Sequence, residues 1–408
     1  MTVTAGPLRV GVATPTLRAV LARQEWVDRR VTLTWYFLVL NALTYFSGLS
    51  VLRIPGSIGK LVTQGSLFIA LALALTVNRK LVIRPNVFLS LVTVMVIGTI
   101  VACLQPEPVG TIYRTVRLII YVVTLWLLTP WWGRRDLLLV RAHLKALSAV
   151  MVSAAIGIFV DPPRALAAGR LSGIIWPVPP PQLAHYSAMV MGLIIVLWMC
   201  GQVRGRATAY VAIAAGTLLI LTHTRTALLG LIVALIVAGM SLIVAKPRVR
   251  RLFTIAATTA TVAILTASEF ITRWLARGEG SGQLSNLTGR TAVWSALVNS
   301  PRNRFQEIFG FGLSNDSFNG LPIDSNWLAS YQSQGYFGVA MCGIILLFLM
   351  ITSCFQPRGR ERALALFITT YCLVASFTEV GFTNATIYLL ELSLAASLVV
   401  SSRYMSTS

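Results

Sequence analysis

Three arginines, Arg170, Arg225 and Arg290, stand with His223, Asp324 and Glu379 in the polar stretches between long apolar runs or at their ends. A guanidinium carries a planar fork of N–H donors that matches phosphate oxygens, and such charge-assisted bonds contribute about 1.5 to 3 kcal/mol each. Two or three converging arginines would hold a pyrophosphate. A carboxylate beside them could take the proton of an attacking hydroxyl. The expected roles are substrate binding by Arg170, Arg225, His223 and Glu379, and catalysis by Asp324 with Arg290.

Each residue has a plainer reading. Arg225 lies in Thr222-His223-Thr224-Arg225-Thr226, with so few residues to turn around that it must stay close to the bilayer. There it either meets an anionic ligand or snorkels to lipid phosphate. Arg170, in Gly169-Arg170-Leu171-Ser172-Gly173, offers the same choice. Asp324, in Ile323-Asp324-Ser325-Asn326-Trp327-Leu328, is either a general base or the N-cap of the following helix. Glu379 either meets substrate or partners an arginine structurally.

The elements that must position these residues follow from composition. Of 408 residues, 56% are apolar and only 12% charged, half the usual charged fraction, and mean hydropathy is +0.76. A polytopic membrane protein is expected. The net charge of +21 would suggest nucleic acid in a soluble chain. Here the basic residues flank apolar runs, so membrane topology accounts for them and no nucleic-acid partner is expected. Five cysteines without CxxC spacing, and three histidines dispersed along the chain, suggest neither disulfides, a metal site nor a cofactor.

A hydrocarbon core about 30 Å thick needs roughly 20 helical residues. Twelve stretches qualify, near 31–51, 61–77, 86–104, 115–132, 142–160, 183–201, 207–223, 226–244, 251–267, 335–356, 363–382 and 385–402. Residues 1–30 lack an apolar signal core and read as a basic cytoplasmic segment. Taking alternate loops from there, one side collects nearly two-thirds of the 34 Lys and Arg. That asymmetry predicts an even number of spans in the cytoplasmic (inner) membrane with both termini cytoplasmic. The whole chain, 1–408, reads as a single integral-membrane domain.

Two outward loops are unusual. Residues 268–334 are too long for a connector and too polar to span, and loops of that kind carry function. Short helices are expected within it, one over Ser268–Arg277 and one capped by Thr288 with Trp294, Leu297 and Val298 on one face; the tryptophans read best as an interfacial belt. Residues 161–182 carry Asp161, Arg164, Arg170 and Pro177, Pro179, Pro180 and Pro181, a stiff non-helical brace for a cavity wall.

At these residues the second half of the chain resembles the O-antigen ligase and O-antigen polymerase family of membrane glycosyltransferases. Arg170-Leu171-Ser172-Gly173 before the Pro-rich stretch is similar to its Arg, Gly and Asn-Pro segment, although Trp176-Pro177 stands where many relatives have Asn-Pro. Thr222-His223-Thr224-Arg225 is similar to its Ser/Thr-x-Ser/Thr-Arg motif. Gly289-Arg290, Trp294 and Phe309-Gly310-Phe311-Gly312 resemble elements of its large loop. Asp324 to Leu328 with Gly335 and Gly338 resembles the return segment, with Asp324-Ser325 in place of a common His-Asn pair.

The resemblance implies an all-α, C-type glycosyltransferase-like fold and a role in surface polysaccharide assembly at the cell envelope. It implies transfer or polymerisation of a glycan, metal-independent and inverting, at the outer face of the membrane. The partners would be an undecaprenyl-pyrophosphate-linked oligosaccharide donor, a glycan or lipid-glycan acceptor and membrane lipid. A lipid-linked-glycan flippase or secondary transporter also fits twelve spans. A polymerase of the shape and division class and a structural membrane subunit remain as further readings.

Overall fold

In a computed structural model, the described residues are 15–52, 55–104, 109–243, 246–255, 258–259, 290–314 and 316–400. The expected ninth span falls mostly outside them, and the segment Ser268–Arg277 and the Thr288 cap fall wholly outside. The described chain is mostly helical. In order, α1 is Pro15–Ala42, α2 Gly56–Val77, α3 Val87–Ala102, α4 Val109–Leu128, α5 Leu138–Val160, α6 Pro180–Met199 and α7 Gly205–Leu221. There follow α8 Arg225–Leu242, α9 Arg290–Val298, α10 Arg304–Phe309, a hairpin of β1 Ser317–Phe318 and β2 Leu321–Pro322, α11 Asn326–Phe355, α12 Arg360–Ala375 and α13 Ile387–Val399.

Among the described residues six helices are long and apolar enough to cross a membrane, and α3, α7 and α13 are shorter apolar helices. Helices are what a lipid environment demands, because each backbone N–H and C=O must find its partner within the segment. The bundle centres on α12 and α13, whose residues Ala363–Cys372 and Ile387–Leu398 are buried along their length. Helices outside them keep apolar side chains exposed, among them Leu61 and Phe68 on α2, Ile213 on α7 and Ile232 on α8. Those faces suit lipid tails.

The proline run does not stay non-helical throughout. Asp161 caps a single turn at Pro162–Ala165, and Pro180 and Pro181 open α6, where a missing N–H costs nothing because the first turn has no intrahelical acceptor. The stiff extended part shrinks to the stretch before Pro180.

A break in α11 shapes one end of the bundle. Gly335 has φ 62° and ψ −158°, which separates a short helix, Asn326 to Gln334, from the long apolar one. Carbonyls ahead of the break lose their helical donors, and loop backbone replaces them: Phe311 N donates to Gln332 O at 2.9 Å and Gly312 N to Ser333 O at 2.8 Å. The fit requires glycine on both sides. A Cβ on Gly335 would lie 2.5 Å from Glu307 O, and one on Gly310 2.4 Å from Gln334 N. Arg302 completes the cap, donating to Tyr331 O at 3.1 Å and Gln332 Oε1 at 2.6 Å.

Candidate functional site

The turn between α7 and α8 is built from Thr222, His223 and Thr224. His223 has φ 50°, and its N–H donates to Ile220 O at 3.0 Å, so its backbone supplies the left-handed residue that ends α7. Onto this turn folds the loop carrying Arg170. Leu171 N donates to Leu221 O at 2.9 Å; Arg170 Nε donates to Thr222 O at 3.1 Å and its Nη2 to Thr224 Oγ1 at 3.3 Å. The threonines of the Thr-His-Thr-Arg stretch are thus receptors for the other arginine. Arg225 is the first residue of α8, next along the chain from Thr224.

A second set comes from the long loop. Arg290 opens α9 as expected, and its Nε donates to Asp324 Oδ2 at 3.1 Å. Asp324 is not the N-cap of α11: that position is Ser325, and Asp324 precedes it with φ 46°, a left-handed conformation that Asp tolerates better than most residues. Trp294 is not a free belt residue either, since its Nε1 donates to Ile323 O at 2.7 Å. Leu297, Ile323 and Ala329 form a small core with Phe318, Leu328, Tyr331 and Val380 around it. The hairpin turn Asn319-Gly320, with φ 51° and 80°, returns the chain to that core.

Asn326 then ties the turn after α12 to the same place. Its Oδ1 accepts from Phe382 N at 2.9 Å and Gly381 N at 3.3 Å, while its own N–H donates to Ser376 O at 2.9 Å. Because α12 ends at Ala375, Glu379 lies in this turn outside the helix. Burial pushes the Glu379 carboxyl up to about 7; His185 opposes that rise, Asp324 adds to it, and Arg290 and Arg170 oppose it. Burial likewise lowers the proton affinity of Arg170, with Glu379 offsetting and Arg290 reinforcing the effect.

Arg170, Arg290, Asp324 and Glu379 therefore act on one another from four stretches of chain. Arg225 and His223 share the turn that receives Arg170. The arrangement offers fixed cations beside two carboxylates.

Two features escaped the sequence reading. Arg117 of α4 donates to Asn41 O at 2.8 Å and Ala385 O at 2.9 Å, fixing the approach to α13. Two of the three histidines, dispersed along the chain, converge on Glu391 inside the bundle. A glutamate within the last apolar run, Leu390-Glu391-Leu392, was the available signal, because an intramembrane carboxylate needs a partner. Among the described residues no group of His, Cys, Asp and Glu is arranged to hold a metal ion. Compared with known proteins, the sequence matches no family model and no curated protein.

Proposed function

We propose that the chain is a membrane glycosyltransferase of the O-antigen ligase or polymerase kind, acting on an undecaprenyl-pyrophosphate-linked glycan at the outer face of the cytoplasmic membrane. The observation that carries this reading is the meeting of Arg170, Arg290, Asp324 and Glu379 beside the turn of Arg225. Cations held at fixed positions stabilise negative charge that develops on a leaving group. The accompanying topology has twelve spans and both termini in the cytoplasm, which puts the site and the loop 268–334 outside.

Arg170 and Arg225 bind the donor's pyrophosphate, with His223 and Glu379 lining the substrate site. Only the Nε–H and one Nη2 N–H of Arg170 are committed to the threonines in the bonds described, which leaves its other donors for phosphate oxygens. Asp324, oriented by Arg290, takes the proton of the acceptor hydroxyl. The acceptor oxygen bonds to the anomeric carbon as the carbon–phosphate-oxygen bond breaks, and the lipid pyrophosphate leaves with the electron pair. One displacement inverts the anomeric centre, and the family resemblance implies that no metal takes part.

The second reading, a lipid-linked-glycan flippase or secondary transporter, gains from one observation: a carboxylate and two histidines meet inside the bundle, where transporters keep proton relays. Binding separates neither class, but it tests the anion site. With the protein in liposomes, Arg170→Ala and Arg225→Ala should each weaken undecaprenyl-pyrophosphate binding by at least about tenfold, the loss of one charge-assisted bond. Unchanged binding in both folded variants would remove the arginines from the donor site.

A further inference from the structure

Glu391 is fully buried within α13. Its Oε1 lies 2.8 Å from His185 Nε2 on α6 and 3.5 Å from His143 Nε2 on α5. The thiol of Cys372 on α12 points at Oε2, with Sγ 3.7 Å away. Trp35 Nε1 of α1 donates to His143 Nδ1 at 3.4 Å. That nitrogen is then the acceptor of a neutral ring, so His143 carries its proton on Nε2, towards the carboxylate. The rings of Tyr186, Tyr371 and Tyr388 surround His185 at centroid distances of 5.7, 5.2 and 4.4 Å.

Among the described residues the ion-pair partners of Glu391 are these two histidines, with no lysine or arginine. A bare carboxylate in such surroundings is strongly disfavoured. The group becomes neutral when it holds one proton, either on Glu391 or as an imidazolium beside it. With His143 fixed as neutral by Trp35, that proton belongs to the short contact between His185 and Glu391. His185 Nδ1, on the other side of the ring, is buried without a hydrogen-bond partner.

We propose that His143, His185 and Glu391 form a proton-binding site inside the bundle that holds one proton, shared between His185 and Glu391. The inference goes beyond glycan transfer and holds for an enzyme or a transporter alike.

Infrared difference spectra of the full chain carrying Glu379→Gln, in liposomes stepped from acid to alkaline buffer, read the carbonyl stretch of a protonated carboxyl group and the ring modes of an imidazolium, and need no glycan. The site predicts one such band that fades at alkaline pH and shifts in heavy water. Glu391→Gln should remove it, and should that variant fail to fold, Glu391→Asp should move its frequency. A folded protein without such a band, or one whose bands all survive Glu391→Gln, overturns the site.

Discussion

Arg290 and Asp324, 34 residues apart in the chain, are joined at 3.1 Å between Nε and Oδ2, each about one-third exposed. The link connects the first residue of α9 to the residue before the cap of α11. A pair so accessible to solvent is worth only about 0.5 to 1 kcal/mol to folding. Its larger effect is orientation. In a double-mutant cycle, Arg290→Ala and Asp324→Asn should each lower transfer far more than they lower thermal stability, and the double variant should lose less than the sum of the two.

Glu379 sets a pH dependence. Its carboxyl, raised to about 7 by burial, is ionised only as pH rises through that value, and only then does it place a negative charge in the substrate site. Transfer should rise through about pH 7, and Glu379→Gln should flatten that limb. Stability runs the other way. The folded state holds this proton more tightly than the unfolded chain, so the contribution is full below the ordinary glutamate range and is lost as pH climbs to about 7. Unfolding midpoints measured across that window should fall in the wild type and less in Glu379→Gln.

The Gly310–Gly335 contact leaves no room for a side chain. Gly335→Ala would force a left-handed residue and a clash with Ile308 C at 2.4 Å, for a cost of about 2 to 3 kcal/mol or more. A marked drop in the melting temperature of the detergent-solubilised protein is expected; a melting temperature equal to that of wild type would place the break elsewhere.

Trp294→Phe keeps the ring but deletes the N–H that holds Ile323 O at 2.7 Å. The expected loss of stability is about 1 kcal/mol. Transfer should fall as well, because Ile323 precedes Asp324 directly.

Much of this organisation is written locally. Arg290 opening a helix and the break near Gly335 were both legible, because a polar loop giving way to an apolar run at a glycine is a short-range pattern. Asn319-Gly320 was an equally local hairpin signal that went unread. The single-residue role of Asp324 was not legible: cap or base differ by one position, and Ser325 took the cap. His185 and Glu391 lie 206 positions apart, so only tertiary packing brings them together. No periodicity carries that information. Glu379 stands in the turn after α12, where Asn326 bonds to Gly381 and Phe382, a tertiary contact that sequence spacing does not encode.

The central claim is that the arginines beside Asp324 and Glu379 serve glycan transfer from a lipid pyrophosphate. Purified protein in liposomes, given undecaprenyl-pyrophosphate-linked oligosaccharide and an acceptor with chelator present, tests it directly. Transfer should proceed, and Arg170→Ala or Arg225→Ala should slow it by about 10² to 10³-fold, the effect of removing one group that stabilises developing charge. Product length would then separate a ligase from a polymerase. Absence of transfer by folded wild type with intact donor, or undiminished transfer by both variants, would contradict the account.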